Sequence, residues 1–144
     1  MNKTLVLLVD DEVPFVETMS KRLTKRELDV LTAFSGPEAL KQLDEHPDVD
    51  VAVLGVKMPG MDGIETLREI KILHPSVEVV MLTGYGTIES AIDGMKQGAF
   101  DFMVKPCDMD LLMNKIKEAK NKKTQHEQKI IEAKNLEIIL RKGN

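Results

Sequence analysis

Apolar and polar positions divide this chain into short apolar runs and longer periodic stretches. Thr4–Val9 (TLVLLV) is a continuous apolar run that stops at Asp10, Asp11 and Glu12, and its length and branched content predict a buried strand. Phe15, Met19 and Leu23 then recur at helical spacing, with Pro14 in a tolerated first turn. Leu28–Ala33 predicts a second strand. Ser35 and Glu38 form a capping-box pair at the start of a helix that carries Leu40 and Leu43 and stops at His46-Pro47. Val49–Leu54 predicts a third strand, followed by the turn-rich Gly55–Gly63 (GVKMPGMDG) and a helix from Ile64 to about Leu73. After Pro75, Val77–Leu82 predicts a fourth strand. Thr87 is placed to cap a helix with Ile88, Ala91, Ile92 and Met95 on one face, ended by Gly98. Phe100–Val104 predicts the fifth strand, and a last helix starts near Asp108.

Five short apolar strands alternating with amphipathic helices predict an α/β protein with a doubly wound parallel sheet covered on both faces. In such sheets the ligand site lies beyond the carboxyl ends of the strands. Four of those ends carry Asp10-Asp11-Glu12, Gly55, Thr83 and Lys105.

Composition narrows the setting. The 144 residues hold 20 Lys+Arg and 24 Asp+Glu, for a formal net charge of −4, which argues against a chain that coats nucleic acid or binds it directly. One cysteine, Cys107, excludes an internal disulfide framework and a Cys-rich zinc site. No apolar run reaches the roughly 18 residues of a membrane span, and Met1–Thr4 does not open a signal peptide, so a cytoplasmic protein is expected. The charge is uneven. Residues 1–114 hold 11 basic and 20 acidic side chains, and residues 115–144 hold 9 and 4, so an acidic body precedes a basic tail.

Adjacent carboxylates repel unless a cation sits between them, and a hard divalent ion such as Mg²⁺ takes oxygen ligands. Thr83 can donate a hydrogen bond to an anionic oxygen, and Lys105 can neutralise charge on the same group. Acid pair, hydroxyl and lysine at three of those strand ends make a phosphoryl site.

LLVDDE at 7–12, LGVKMPGMDGIETL at 54–67, MLTGYGTIESAIDGMKQGAFDF at 81–102 and VKP at 104–106 resemble, in that order, the CheY-like receiver domain of two-component response regulators. The resemblance covers roughly residues 3–120. It implies a flavodoxin-like fold with strand order 2-1-3-4-5 and a bacterial phosphorelay role rather than an enzymatic one. It also implies a sensor histidine kinase or other signalling protein as partner. The run from Thr83 to Phe102 is similar to receivers joined to AAA+ transcription-activator ATPases, which implies an AAA+ or DNA-binding output domain beyond this chain. Carried onto this sequence, Asp10 and Asp11 would hold Mg²⁺, Thr83 would be the switch hydroxyl, Phe102 the switch aromatic and Lys105 the invariant lysine, with Lys105-Pro106 a candidate cis peptide.

At the family's phosphate-acceptor position, an aspartate at the end of the third strand, this sequence has Gly55. Glycine offers no nucleophilic oxygen, so aspartyl phosphate cannot form there, and Mg²⁺ binding is expected to weaken. A degenerate receiver that signals by protein–protein interaction and an acceptor-site variant of an active regulator both fit this glycine. The rival reading is a haloacid-dehalogenase-like phosphatase with Asp10 as nucleophile and Glu12 as acid–base. VDDE lacks that family's second Asp two residues on, and the chain lacks a cap insertion.

Residues 1–120 are expected to form the receiver domain and 121–144 a helical tail or linker. A 4-3 spacing from Leu112 through Ile116, Ala119, Lys123, His126, Ile130, Ala133 and Glu137 to Leu140 is apolar at six of nine positions, a moderate coiled-coil pattern. It leaves two courses open: a linker that frays near 121, or a helix that pairs two copies.

Overall fold

The computed structural model describes residues 3–142. Five strands alternate with five helices: β1 Leu5–Val9, α1 Val13–Lys25, β2 Asp29–Ala33, α2 Gly36–Glu45, β3 Val51–Gly55, α3 Gly63–Leu73, β4 Glu78–Thr83, α4 Ile88–Lys96, β5 Asp101–Val104 and α5 Met109–Lys142. The sheet is parallel, with order β2-β1-β3-β4-β5. This is the flavodoxin-like order. Successive side chains on a strand face opposite ways, which splits the core into two layers. Leu7, Val9, Ala52, Leu54, Val79 and Met81 pack on the side of α2, α3 and α4. Val6, Leu8, Val51, Val53, Val80 and Leu82 pack on the other side with α1 and α5. The central strands are buried on both faces, which is why their sequences run apolar without alternation.

The third and fourth strands begin one or two residues later than their apolar runs and end one residue later. Val49 is held in the preceding turn by a bond from its N–H to the carbonyl of His46 (3.2 Å). As a result Gly55 and Thr83 are the last residues of strands rather than loop residues. The capping box at α2 forms one residue out of register. Ser35 Oγ accepts from the N–H of Glu38 (3.2 Å), and the Glu38 carboxylate accepts from Phe34 rather than Ser35 (3.0 Å).

Two helix expectations need correction. Thr87 stands at the N-cap position of α4, but its hydroxyl makes no cap bond, because a 3₁₀ turn over Tyr85–Thr87 turns it back onto Gly84. The buried residues of α4 are Ala91 and Gly94, whereas Ile92 and Met95 are 48% and 37% exposed. Gly94 lies so close to Met81 that an added Cβ would meet its sulfur at 2.4 Å. This close approach turns the small residues inward and leaves the larger ones outside.

The polar stretch after residue 121 continues the helix, and α5 runs over 34 residues. The first four 4-3 positions, Leu112, Ile116, Ala119 and Lys123, are buried against the chain's own sheet. Lys123 is seated on Asp50, which precedes β3. Its Nζ lies 2.9 Å from Asp50 Oδ1, while Asp50 Oδ2 accepts the N–H of Leu5 (2.9 Å) and lies 3.5 Å from Lys120. Beside it, Glu78 at the start of β4 is approached by Lys122 (3.6 Å) and Lys71 (4.0 Å). Burial pulls the pKa of Lys71 below its ordinary value, against the charge of Glu78. Beyond Lys123 the helix stands clear of the body for about 28 Å at 1.5 Å per residue, with Ile130, Ile131, Leu136, Ile138, Ile139 and Leu140 exposed.

Removing one member of a buried ion pair strands the other, at a cost of about 3–5 kcal/mol, whereas replacing both by apolar groups is close to neutral. We therefore predict that Asp50→Ala lowers stability by about that amount and that adding Lys123→Met restores most of it. Urea unfolding of the two variants checks this, and a double mutant as weak as Asp50→Ala would remove the clasp from the account.

Candidate functional site

Asp10, Asp11 and Lys105 converge at the carboxyl edge of the sheet, in a cleft of about 560 Å³ that Glu12, Lys57 and Thr87 also line. β1 delivers Asp10, which is 1% exposed, while Asp11 and Glu12 are exposed at the entry to α1. Lys105 follows β5 directly and is drawn beside β4 by a bond from its N–H to the carbonyl of Thr83 (2.8 Å). The Lys105–Pro106 bond is cis.

The strongest contact in the cleft is between Asp10 and Lys105. Lys105 Nζ lies 2.7 Å from Asp10 Oδ2 and 3.2 Å from Glu12 Oε1, and the other oxygen of Asp10 accepts the N–H of Glu12 (3.0 Å). Two unit charges 2.7 Å apart attract by roughly 6 kcal/mol at an effective dielectric near 20, before desolvation. The exposed Glu12 pair adds at most about 1 kcal/mol. The ammonium also stands 4.3 Å from the centroid of the Phe15 ring, a cation–π contact of about 0.5–2 kcal/mol. Asp10 therefore governs the lysine, with Phe15 and Glu12 as lesser constraints. Neither was legible from spacing, because helical periodicity assigns Phe15 to the core and nothing local to Glu12 points toward residue 105.

Gly55 ends β3 against the Asp10 side chain. A Cβ built there would come within 2.6 Å of Asp10 Oδ2, so the carboxylate of Asp10 occupies the space that a side chain at 55 would need. The MDG that follows is explained locally. Asp62 Oδ1 caps α3 by accepting from Glu65 (2.9 Å), and Gly63 passes so close that a Cβ would sit 2.2 Å from the Gly55 carbonyl. Met58 and Pro59 line the same cleft.

Thr83 and Phe102 are not brought into the cleft. Thr83 is 1% exposed, and its hydroxyl donates to the carbonyl of Gly84 (3.0 Å) and contacts the hydroxyl of Thr87. Thr87 in turn accepts the N–H of Gly84 (3.1 Å). Phe102 is half-buried against the layer under α4.

With this geometry in place, the comparisons with known proteins are decisive. The model of the response regulator receiver domain matches residues 6–117. The chain belongs to that family. The family is a signalling module rather than an enzyme. Over 114 residues the chain is 36% identical to the transcriptional regulatory protein ZraR of Salmonella typhimurium, covering 79% of this chain and 26% of that protein. It is similar to a receiver domain protein from Clostridium thermocellum at TM-score 0.82 and 36% identity, covering 85% of this chain and 98% of that one. A Rhodopirellula baltica structure described as an adenylate cyclase is similar at TM-score 0.86 and 28% identity, covering 92% and 98%. The chain thus spans about a quarter of the length of the curated relatives it matches. No described helix is long and apolar enough to cross a membrane.

Family membership carries an expectation of Mg²⁺-dependent chemistry. The donor set in the cleft does not fit that ion well. Both oxygens of Asp10 are already engaged, one by an ammonium, and Asp11 is a solvated single carboxylate. Among the described residues no three His, Cys, Asp or Glu side chains gather to hold a metal.

Gly55→Asp adds a fourth carboxylate beside Asp10, Asp11 and Glu12, and its Cβ obliges the end of the Asp10 side chain to shift. Like charges crowded around one lysine should make it melt below the unsubstituted chain in the absence of divalent metal, and an equal or higher midpoint would contradict that repulsion. The pKa of Lys105 lies above its ordinary 10.5, because its hydrogen bonds to and the charges of Asp10 and Glu12 outweigh the opposing effect of burial. A raised lysine pKa stabilises fully below the unfolded value and loses that contribution as pH rises through the folded one. The melting gap between the unsubstituted chain and Lys105→Met should therefore hold through neutral pH and narrow above about 10.5. A gap that persists throughout the alkaline range would show that the pair contributes little.

Proposed function

We propose that this chain is the receiver module of a two-component system in which Gly55 fills the phosphate-acceptor position, so that it acts by binding other proteins rather than through aspartyl phosphate. The observation that supports this is the place of Gly55, at the carboxyl end of β3 against the Asp10 carboxylate that Lys105 holds. Asp50 stands at the opposite end of the same strand and is committed to Lys123. Asp62 is committed to capping α3. Neither offers a replacement acceptor. Thr83 and Phe102 are the switch pair on this reading, at rest because no phosphoryl group draws Thr83 inward.

A sensor histidine kinase or another signalling protein is the partner on the same reading, with a cytoplasmic setting. The greater length of the relatives supports an output domain, AAA+ or DNA-binding, beyond this segment. Residues 1–120 with the seat of α5 act as the receiver, and 121–144 act as a helical connector whose exposed apolar positions suit pairing with a second copy.

Incubation with a small acyl-phosphate donor and Mg²⁺ tests the central claim. We expect radiolabelled phosphate on Gly55→Asp and none above background on the unsubstituted chain. Stoichiometric labelling of the unsubstituted chain would refute the reading.

A further inference from the structure

We propose that the Lys105 ammonium, held by Asp10, Glu12 and the Phe15 ring, is this pocket's resident cation and makes the domain insensitive to Mg²⁺. The proposal deepens the reading of this cleft as the receiver site and rests on it.

Both oxygens of the buried Asp10 carboxylate carry a partner, and each keeps a second lone pair. One accepts the backbone N–H of Glu12, and the other holds Lys105 at 2.7 Å. Mg²⁺ binds carboxylate oxygen at about 2.0–2.1 Å and demands octahedral surroundings. An ammonium 2.7 Å from Asp10 Oδ2 repels a dication brought to the same carboxylate, so its entry is opposed unless the lysine moves away. Three contacts oppose that departure: the ion pair with Asp10, the weaker one with Glu12, and the Phe15 ring at 4.3 Å. The ring is itself fixed, because Phe15 packs against the core layer of α1 and α5.

The remaining carboxylates do not compensate an entering ion. Asp11 and Glu12 are exposed, and attraction toward solvated charge is weak and screened. Mg²⁺ also sheds its waters reluctantly, which a single contested carboxylate does not offset.

Gly55 completes the arrangement. The Oδ2 of Asp10 lies 2.6 Å from where a Cβ at 55 would stand, so the glycine lets that oxygen keep its present place under Lys105 without adjustment. Glu12 and Phe15 are positioning residues in this scheme, acting through Lys105.

Thermal melts with and without millimolar MgCl₂, at matched ionic strength, test the proposal on the full chain and on Lys105→Met and Phe15→Leu. The midpoint of the full chain should not move. Lys105→Met should melt lower without metal and rise with Mg²⁺, and Phe15→Leu should show a smaller rise. A change in stability without any Mg²⁺ response would mark Phe15 as packing alone and remove it from the cage. A full chain that rises as much as Lys105→Met overturns the proposal, and so does a Lys105→Met that gains nothing. Should Lys105→Met fail to fold, the ¹⁵N resonance of the Lys105 ammonium in the full chain decides. A signal unmoved by Mg²⁺ supports the cage, and one that shifts to the position of solvated lysines overturns it. Labelling of the full chain by an acyl phosphate would defeat the functional reading, whereas an unlabelled chain whose midpoint rises with Mg²⁺ would defeat only this inference.

Discussion

The carboxyl edge of this sheet depends on one buried ion pair over one missing side chain. Asp10 is almost fully buried at the end of a central strand, where an unpaired carboxylate is expensive. Its charge is tolerable because Lys105 reaches it from the far side of the sheet, and Lys105 reaches it because β5 ends beside Thr83 and bonds to it. The contact brings the chain's first strand and its last together across two intervening strands. It needs the space above Gly55, so the residue at the end of β3 sets where the carboxylate at the end of β1 can lie.

The amino edge of the same sheet meets the same difficulty in the same way. Asp50 and Glu78 sit buried at the starts of β3 and β4, next to strand ends whose backbone groups need partners. Asp50 supplies one by accepting the N–H of Leu5, and it acquires the charge that must then be balanced. Lys120 and Lys123 of α5 balance it, and Lys122 of the same helix approaches Glu78. A buried pair of this kind adds little net stability but fixes geometry, since any other placement strands a charge. Here it fixes the direction in which α5 leaves the body.

Much of this was legible in the sequence, and the failures share a cause. The five apolar runs reveal the strands because both sheet faces are buried, and the abrupt polar residues after each run mark the edge where the cleft forms. The order Asp10, Gly55, Thr83, Lys105 is readable for the same reason. Patterning misplaced those residues whose burial depends on a partner distant in sequence. Lys123 looks like part of a solvated linker until Asp50, 73 residues away, is seen beneath it. Ile92 and Met95 look like core until Gly94 is found against Met81. Phe15 looks like ordinary core packing until Lys105 is found over its ring. Hydrophobic periodicity records which face of an element is apolar, and it is silent about which lysine a carboxylate will select.

α5 links the two ion-paired edges. It begins four residues after Lys105, where Asp108 caps its first turn by accepting from Leu111, and it is pinned again at Lys123. Between these points it covers the sheet with Leu112, Ile116 and Ala119. A helix fastened at its first turn and again at Lys123, and buried between those points, is poorly suited to move in response to a small ligand in the cleft. A ligand shifts an equilibrium only by its difference in affinity for the two states. With Asp10 already neutralised from within, a cation entering the cleft gains little from one state over the other. Differential binding is more readily found on the nineteen residues of α5 beyond Lys123, where the apolar side chains are exposed and no contact with the body constrains them. Under the proposed function the input to the domain is a protein surface, and the exposed apolar side chains of α5 are the part of the fold free to meet it.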